Sequence, residues 1–396
     1  MVYNFDEVID RFGTGSSKWD KLEQLFGSKE VLPVWVADMD FRVPEQVVNA
    51  LKERVDHGIF GYTNNTEPYF NAVINWMKRR HDWQIKKEWI CHSPGIVTAL
   101  NLIVSGFTEP GDHVLIQTPV YHPFKHAIEN HDRICVTNSL KVEDGKYKMD
   151  LEDLEDKFKK YDVKCMILCS PHNPVGRVWT KDELLALADL CLKYDVLVVA
   201  DEIHADLVFV GSKHICFASL SDEIKNKTIV CTAPSKTFNI AGLQHSNIII
   251  PNPKLRSQFK KEANKFELSQ PNSFGPTATE VAYNEGEEWL DACIDYIYEN
   301  YKYAKDYFKN NIPEFSMSEL EGTYLAWVDC RKLGLNRKEL EQFMLKEAKV
   351  GFNQGAMFGD EGEGFVRFNL ACPRQIVKEA LQRLEVALKA QRSNLV

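Results

Sequence analysis

No stretch of this chain stays apolar for long. The longest apolar runs, such as residues 196–200 and 248–250, fall far short of the roughly 20 residues that a membrane span needs. No C-x-x-C pair occurs among the ten cysteines. They are scattered, which fits a reducing compartment better than a disulfide framework or a zinc site of that type. No basic excess exists either: 48 Lys and Arg against 57 Asp and Glu leave a net charge of −9. That argues against a general binder of nucleic-acid phosphates. Residues 1–11 carry acids and no apolar core, so they do not read as a secretory signal. Internal repeats and low-complexity segments are also missing, apart from a short acidic, glycine-rich loop at 360–364. These absences lead us to expect a soluble, cytoplasmic protein with no nucleic-acid and no membrane partner.

What remains is an ordinary globular composition, 44% hydrophobic and 27% charged over 396 residues. Such a chain can bury a large core and suggests one large and one small domain. Apolar runs at 113–117, 165–169, 196–200, 228–232 and 247–250 read as buried strands. Amphipathic segments at 98–106, 181–193 and 255–266 read as helices. Their alternation predicts an α/β fold with a mostly parallel central sheet flanked by helices. The character changes after residue 288. Here a helix at 289–310, strands at 324–329 and 365–370, and helices at 337–348 and 374–391 suggest a smaller α+β domain. The expected division is a large domain at 47–288 and a small one at 289–396. Residues 1–46 have no place in the central sheet and are expected to pack with the small domain.

The chemistry concentrates in three segments: Asn173-Pro174-Val175-Gly176, Asp201-Glu202-Ile203-His204 and Ser235-Lys236-Thr237. Each follows a strand-like run. Their order suits pyridoxal 5′-phosphate, PLP. A lysine amine can condense with its aldehyde, and a carboxylate beside the pyridinium nitrogen keeps the ring electron-withdrawing. Lys236 is the candidate for the covalent link and for moving protons, tasks that suit a buried lysine. Asp201 would face the ring nitrogen; a helix N-cap is its ordinary alternative. Asn173 lies in a turn made rigid by two prolines and a glycine, and suits the ring's phenolic oxygen; a plain Asn-Pro turn is the alternative. Ser93-Pro94-Gly95-Ile96-Val97-Thr98 precedes an apolar helix, whose free N–H groups suit a phosphate or merely need a cap. Arg367 is a charge inside the apolar run 365–370. It needs a partner, either a substrate carboxylate or an internal Asp or Glu.

Together these segments resemble the fold-type I PLP enzymes of the aspartate aminotransferase superfamily, over nearly the whole chain. More narrowly they are similar to the MalY/PatB cystathionine β-lyase branch. The branch features are Trp35-Val36-Ala37-Asp38-Met39-Asp40-Phe41, Gly61-Tyr62-Thr63, Asp201 through Leu207, and Ser235 through Leu243. The resemblance implies that Lys236 is the Schiff-base lysine, Asp201 the pyridinium partner and Asn173 the donor to the ring oxygen. It implies that Tyr121 stacks on the ring and that Gly95, Ile96, Val97 and Ser235 contact the phosphate. Tyr62 would reach the phosphate of a neighbouring subunit, in a homodimer with shared active sites. Arg367, with the backbone of Val36 and Ala37, would hold the substrate α-carboxylate. His204, counted among the cofactor contacts, stands where many transaminases carry a tyrosine. Gln244 stands where many carry a phosphate-binding arginine.

The expected activity is a PLP-dependent carbon–sulfur β-lyase. It would convert an amino-acid substrate, cystathionine or a related cysteine conjugate, to a thiol, pyruvate and ammonia. Lys236 or Tyr121 would help with protons. An aminotransferase on the same fold shares the first half of this chemistry and stays open. So does a regulatory protein that uses the scaffold to bind a transcription factor.

Overall fold

Seven strands form the main sheet: β1 (Ile90–Ser93), β2 (His113–Thr118), β3 (Ile134–Ser139), β4 (Cys165–Cys169), β5 (Leu197–Asp201), β6 (Thr228–Thr232) and β7 (Ser246–Ile249). The structure, a computed structural model, describes residues 3–393. Across the sheet the order is β1-β7-β6-β5-β4-β2-β3. All pairs are parallel except those of β7, which is antiparallel to β1 and to β6. The strands read as unbroken apolar runs because both faces are covered. Val198, Ala200 and Val230 join one apolar layer, while Val199, Ile229 and Cys231 join the other. The helix Lys181–Lys193 has the predicted bounds, set by a capping box of Thr180 and Glu183.

Strand β5 starts one residue later than the apolar run and takes in Asp201, which pairs with Cys169 on one side and Cys231 on the other. The carboxylate therefore stands at the C-terminal edge of the sheet, where parallel sheets receive ligands. A second, antiparallel sheet contains β8 (Ser316–Met317), β9 (Leu325–Asp329), β10 (Asn353–Gln354) and β11 (Phe365–Asn369), in the order β8-β9-β11-β10. The long helices Glu287–Asn311 and Arg374–Ser393 pack against each other beside it. The expected helix at 337–348 is α-helical only over Arg337–Gln342 and continues as a π turn over Phe343–Glu347. Phe343 and Met344 are buried there; a π turn re-aims side chains within a helix without breaking it. In the loop at 360–364 the acidic residues are exposed while Gly362 is buried, and the loop is pinned. Glu361 accepts the hydroxyl of Thr118 at 2.9 Å and that of Ser139, at the ends of β2 and β3.

The N-terminal segment pairs Leu32–Pro33 in parallel with Val350–Gly351. It then crosses the molecule as a strap held from two sides. Asn239 donates to the carbonyls of Met39 (2.9 Å) and Phe41 (3.0 Å) and accepts the Met39 N–H at 2.9 Å. Asn369, at the end of β11, donates to the carbonyls of Val36 (2.6 Å) and Asp38 (2.7 Å). Among the described residues no helix is long and apolar enough to cross a membrane.

Beneath the strap lies a buried ion pair. Lys18, 1% exposed, meets Asp40, 5% exposed, at 2.5 Å. Asp40 also accepts from Arg11 at 2.6 Å and from the Trp19 indole at 3.0 Å. Burial pushes the Asp40 carboxyl up, but Lys18, Arg11 and Trp19 outweigh it and hold it below the usual carboxylate range. Removing one member of a buried pair leaves the other charge uncompensated, at a cost of about 3–5 kcal/mol. Asp40→Ala should lower the unfolding free energy from urea titration by a corresponding amount. Breaking the exposed pair of Glu23 and Lys29 with Glu23→Ala should change it by less than about 0.5 kcal/mol. Chemical denaturation followed by tryptophan fluorescence checks both.

Candidate active site

A cavity of about 290 Å³ opens at the C-terminal ends of β4, β5 and β6, a size suited to a small cofactor. Asn173, Asp201, His204, Ser235, Lys236, Tyr121, Ala37 and Gly95 through Val97 all line it. Residues from six separate stretches of sequence thus meet in one place. The turn bearing Asn173 is fixed at several points. The Asn173 N–H reaches the Cys169 sulfur at 3.4 Å, and the Trp179 indole holds the Cys169 carbonyl at 3.0 Å. Gly176 has φ 74°, and a Cβ there would come within 2.3 Å of a Leu320 methyl, so only glycine completes this turn.

Gly95, with φ 110°, caps the helix Ile96–Phe107 without a side chain. The first bond back to the cap is from the Ala99 N–H to the Gly95 carbonyl. The earlier N–H groups, of Ile96, Val97 and Thr98, belong to residues that line the cavity and remain available to an anion.

Among the described residues, Lys236 is the only lysine or arginine lining the cavity. Its Nζ donates to the Ala37 carbonyl at 2.7 Å, and the Tyr324 hydroxyl donates to the same oxygen at 2.8 Å. Burial, aided by Arg367, lowers the amine to about 8, against the pull of Asp38 and Asp201. Asp201 is pushed the other way, up to about 7, by burial, with the Ile203 N–H (3.1 Å) and Lys236 opposing. No ion pair to Asp201 is present among the described residues. His204 is buried and kept neutral, its pKa near 3, by burial and by the charges of Lys236 and Arg367. Its ring meets Tyr324 edge-on at 5.9 Å, and its Nδ1 has no protein partner. Burial also raises the Tyr121 phenol.

Arg367 does not line the cavity wall but stands directly behind Asn173, whose amide oxygen accepts from it at 3.0 Å. Its other partners are the Asn353 amide oxygen (2.6 Å) and the Trp35 carbonyl (3.1 Å), and its guanidinium lies over the Phe358 ring. All are uncharged. No internal Asp or Glu pairs with it among the described residues, so the ordinary explanation of a buried arginine does not apply. Burial lowers it to about 10, and its Nε has no partner. Val36 lies just outside the lining, with its carbonyl held by Asn369. Tyr62 is not brought to this cavity at all: it is 99% exposed.

Several contributors escaped the sequence reading. Tyr324 begins the run 324–329, expected only as a strand, and Asn353 falls between the expected elements. An asparagine in an apolar run, like the arginine at 367, was the available signal for Asn353 and Asn369. His245 lines the cavity beside Gln244, is kept neutral by burial, and has no partner on either ring nitrogen.

This donor set fits PLP. Asp201 is a buried carboxylate in need of a cationic partner, which a pyridinium nitrogen provides. Asn173 and Tyr121 border the same space. The unspent N–H groups at 96–98, the Ser235 hydroxyl and the orphaned His245 can serve a phosphate. Lys236 is the one amine within reach of an aldehyde.

The shift of Asp201 carries a pH signature. Between pH 3.8 and about 7 the folded chain keeps this proton while the unfolded chain has lost it. In chain stripped of cofactor, the contribution of this group to stability therefore falls as pH rises through that window. Asp201→Asn should abolish the fall and make the stripped chain more stable than its parent at neutral pH. Thermal unfolding of both chains between pH 4 and pH 8 checks the sign.

Residues 30–384 match the family described as aminotransferase class I and II. Cystathionine beta-lyase PatB of Bacillus subtilis (strain 168) is 48% identical, over 97% of this chain and 100% of its own length. Protein MalY of Escherichia coli (strain K12) is 33% identical, over 99% and 100%. Among solved structures, cystalysin from Treponema denticola, which contains a pyridoxal 5′-phosphate cofactor, superposes with a TM-score of 0.96 at 44% identity, covering 99% of this chain and all of that one. The cavity at the sheet's edge is thus that of a known fold, and the chain belongs to the aminotransferase class I and II family, in its cystathionine β-lyase branch.

Proposed function

We propose that the protein is a PLP-dependent carbon–sulfur β-lyase that cleaves L-cystathionine or a related cysteine S-conjugate to a thiol, pyruvate and ammonia. One observation carries the choice of lyase within the family. The strap Trp35 through Phe41, the most branch-specific part of the sequence, reaches the catalytic lysine: its Ala37 carbonyl holds Lys236 Nζ at 2.7 Å. When bound, PLP supplies an aldehyde for the substrate amine and a ring that draws electrons from the substrate α-carbon.

The chain's own residues do the rest. Asp201 holds positive charge at the ring nitrogen, Asn173 donates to the ring oxygen, and Tyr121 covers the ring. Gly95, Ile96, Val97 and Ser235 take the phosphate, and His204 borders the ring as a neutral side chain. Arg367, with the strap at Val36 and Ala37, takes the substrate α-carboxylate. Its uncharged partners leave a full positive charge for that purpose. Lys236, depressed to about 8, is available near neutral pH as a base for the α-proton. The departing β-thiolate receives a proton from Lys236 or from the Tyr121 phenol.

The same reading divides the chain into a PLP-binding domain at 47–288, a small domain at 289–396 and an N-terminal segment at 1–46 that packs with the small domain. The placement of the two sheets in separate stretches of sequence supports it. The working unit is a cytoplasmic homodimer. Ten unpaired cysteines support the reducing compartment. The exposed run Ile59, Phe60 and Tyr62 supports a partner surface, with Tyr62 serving the partner's phosphate.

Incubation of the PLP-loaded protein with cystathionine should release pyruvate and free thiol in equal amounts. Lys236→Ala should abolish both. Arg367→Ala should lower kcat/KM at least about tenfold with the cofactor spectrum intact, since a desolvated bidentate pair is worth roughly 1.5–3 kcal/mol. Turnover that needs a keto acid and frees no thiol would identify an aminotransferase instead.

The shared site is tested with hybrids. Tyr62→Phe alone should bind PLP weakly. In a hybrid with Lys236→Ala chains, the Lys236-bearing site receives an intact Tyr62 and should regain tight binding. Activity in a monomer on sizing, or no recovery in hybrids shown to have formed, would refute it.

A further inference from the structure

Behind the cofactor cavity lies a second set of buried reactive groups that the lyase reading does not use. His81, His214 and Cys216 converge from the end of one helix and from the loop after β5, and all three are buried. One ring nitrogen of each histidine and the Cys216 sulfur lie within 4.8 Å of one another. The two imidazoles meet edge-on, with centroids 5.5 Å apart. None of the three lines the cofactor cavity.

Each histidine is backed by its own buried carboxylate. His81 Nε2 meets Asp206 at 2.7 Å, and His214 Nε2 meets Glu202 at 3.1 Å. A carboxylate on one ring nitrogen orients the imidazole and raises its basicity as a metal ligand. The second nitrogen of His214, Nδ1, is buried without any partner. The carboxylates are themselves fixed: Asp206 accepts from Trp76 (3.0 Å) and Thr237 (2.7 Å), and Glu202 from the Phe217 N–H (2.7 Å). The cluster thus has two imidazoles, a thiol and two carboxyl groups held in place by hydrogen bonds.

It also has a way in. A cavity of about 270 Å³ reaches His81, Asp206 and His214 from solvent past Ser212 and Lys213. The arginines at its rim, Arg79 and Arg80, are already paired with Glu287 and Asp291.

We propose that His81, His214 and Cys216 form a binding site for one zinc-like divalent cation, separate from the PLP site. Two imidazoles and a thiolate suit zinc, with bonds of about 2.0–2.3 Å and a fourth position left for water from the cavity. Donors at those bond lengths stand roughly 3.3–3.8 Å apart, so side-chain rotations of about an ångström complete the site. On binding, the Cys216 S–H bond breaks, a sulfur–metal bond forms, and the proton leaves to solvent. Asp206 and Glu202 balance the charge of the ion.

The test uses PLP-loaded protein freed of metal by dialysis against a chelator. Zinc is titrated in competition with a chromophoric chelator, and cobalt(II) is titrated separately. We expect one equivalent of either metal per chain. Bound cobalt should give visible d–d bands to the red of the cofactor's absorption and a near-ultraviolet thiolate band. Cys216→Ser should remove the thiolate band, and Cys216→Ser and His214→Gln should each weaken zinc at least tenfold. Retained cofactor absorbance and melting temperature check that these variants fold. No stoichiometric site in the parent protein would overturn the proposal. So would a cobalt spectrum without a thiolate band, a result that needs no variant, or zinc affinity unchanged in folded Cys216→Ser.

Discussion

The Ala37 carbonyl joins parts of the chain that are remote in sequence. It accepts from Lys236 and from Tyr324, 199 and 287 residues away. The lysine comes from the main sheet, the tyrosine from the edge of the second sheet, and the carbonyl from the N-terminal strap. Two acceptor lone pairs on one oxygen can satisfy both donors. Without this contact a half-buried amine would lack a protein partner. Much of the surrounding structure exists to keep the oxygen in place: Asn369 and Asn239 grip the strap on either side, and the buried pair of Lys18 and Asp40 anchors its underside.

Charge separates structure from chemistry in this molecule. Lys18 and Asp40 are buried and mutually compensated, so each keeps its ordinary charge and each raises the demand for the other. Asp201 and Arg367 are buried, Lys236 is half-buried, and none of the three is compensated. All three are displaced toward their neutral forms: Lys236 to about 8, Asp201 to about 7, Arg367 to about 10. Burying such groups without partners costs folding free energy. A ligand with the complementary charges would offset the cost. Perturbed groups converging in one cleft are a physical mark of a functional site.

The carboxylates next along the chain play the opposite part. Asp201 lines the cofactor cavity without an ion pair, whereas Glu202 is engaged by His214 and the Phe217 N–H, and Asp206 by His81, Trp76 and Thr237. A short stretch after a single strand thus serves two compartments. Asp206 also takes the hydroxyl of Thr237, the residue after Lys236, so the two compartments share a wall.

The alternation of buried strands and amphipathic helices by itself determined the α/β fold, because a strand covered on both faces must be apolar throughout and a helix covered on one face must not. The order Asn173, Asp201, Lys236 was equally legible, since each follows a strand and so falls on the same sheet edge. Tertiary structure alone decided the rest. Tyr324 carries no local signal, because its role comes from a contact with Ala37, 287 residues away. That Arg367 lacks an acidic partner could not be read from a charge in an apolar strand, since a partner elsewhere in the chain is invisible until the chain folds. Likewise the pairing of His81 and His214 with separate carboxylates depends on a helix and a loop that meet only in three dimensions.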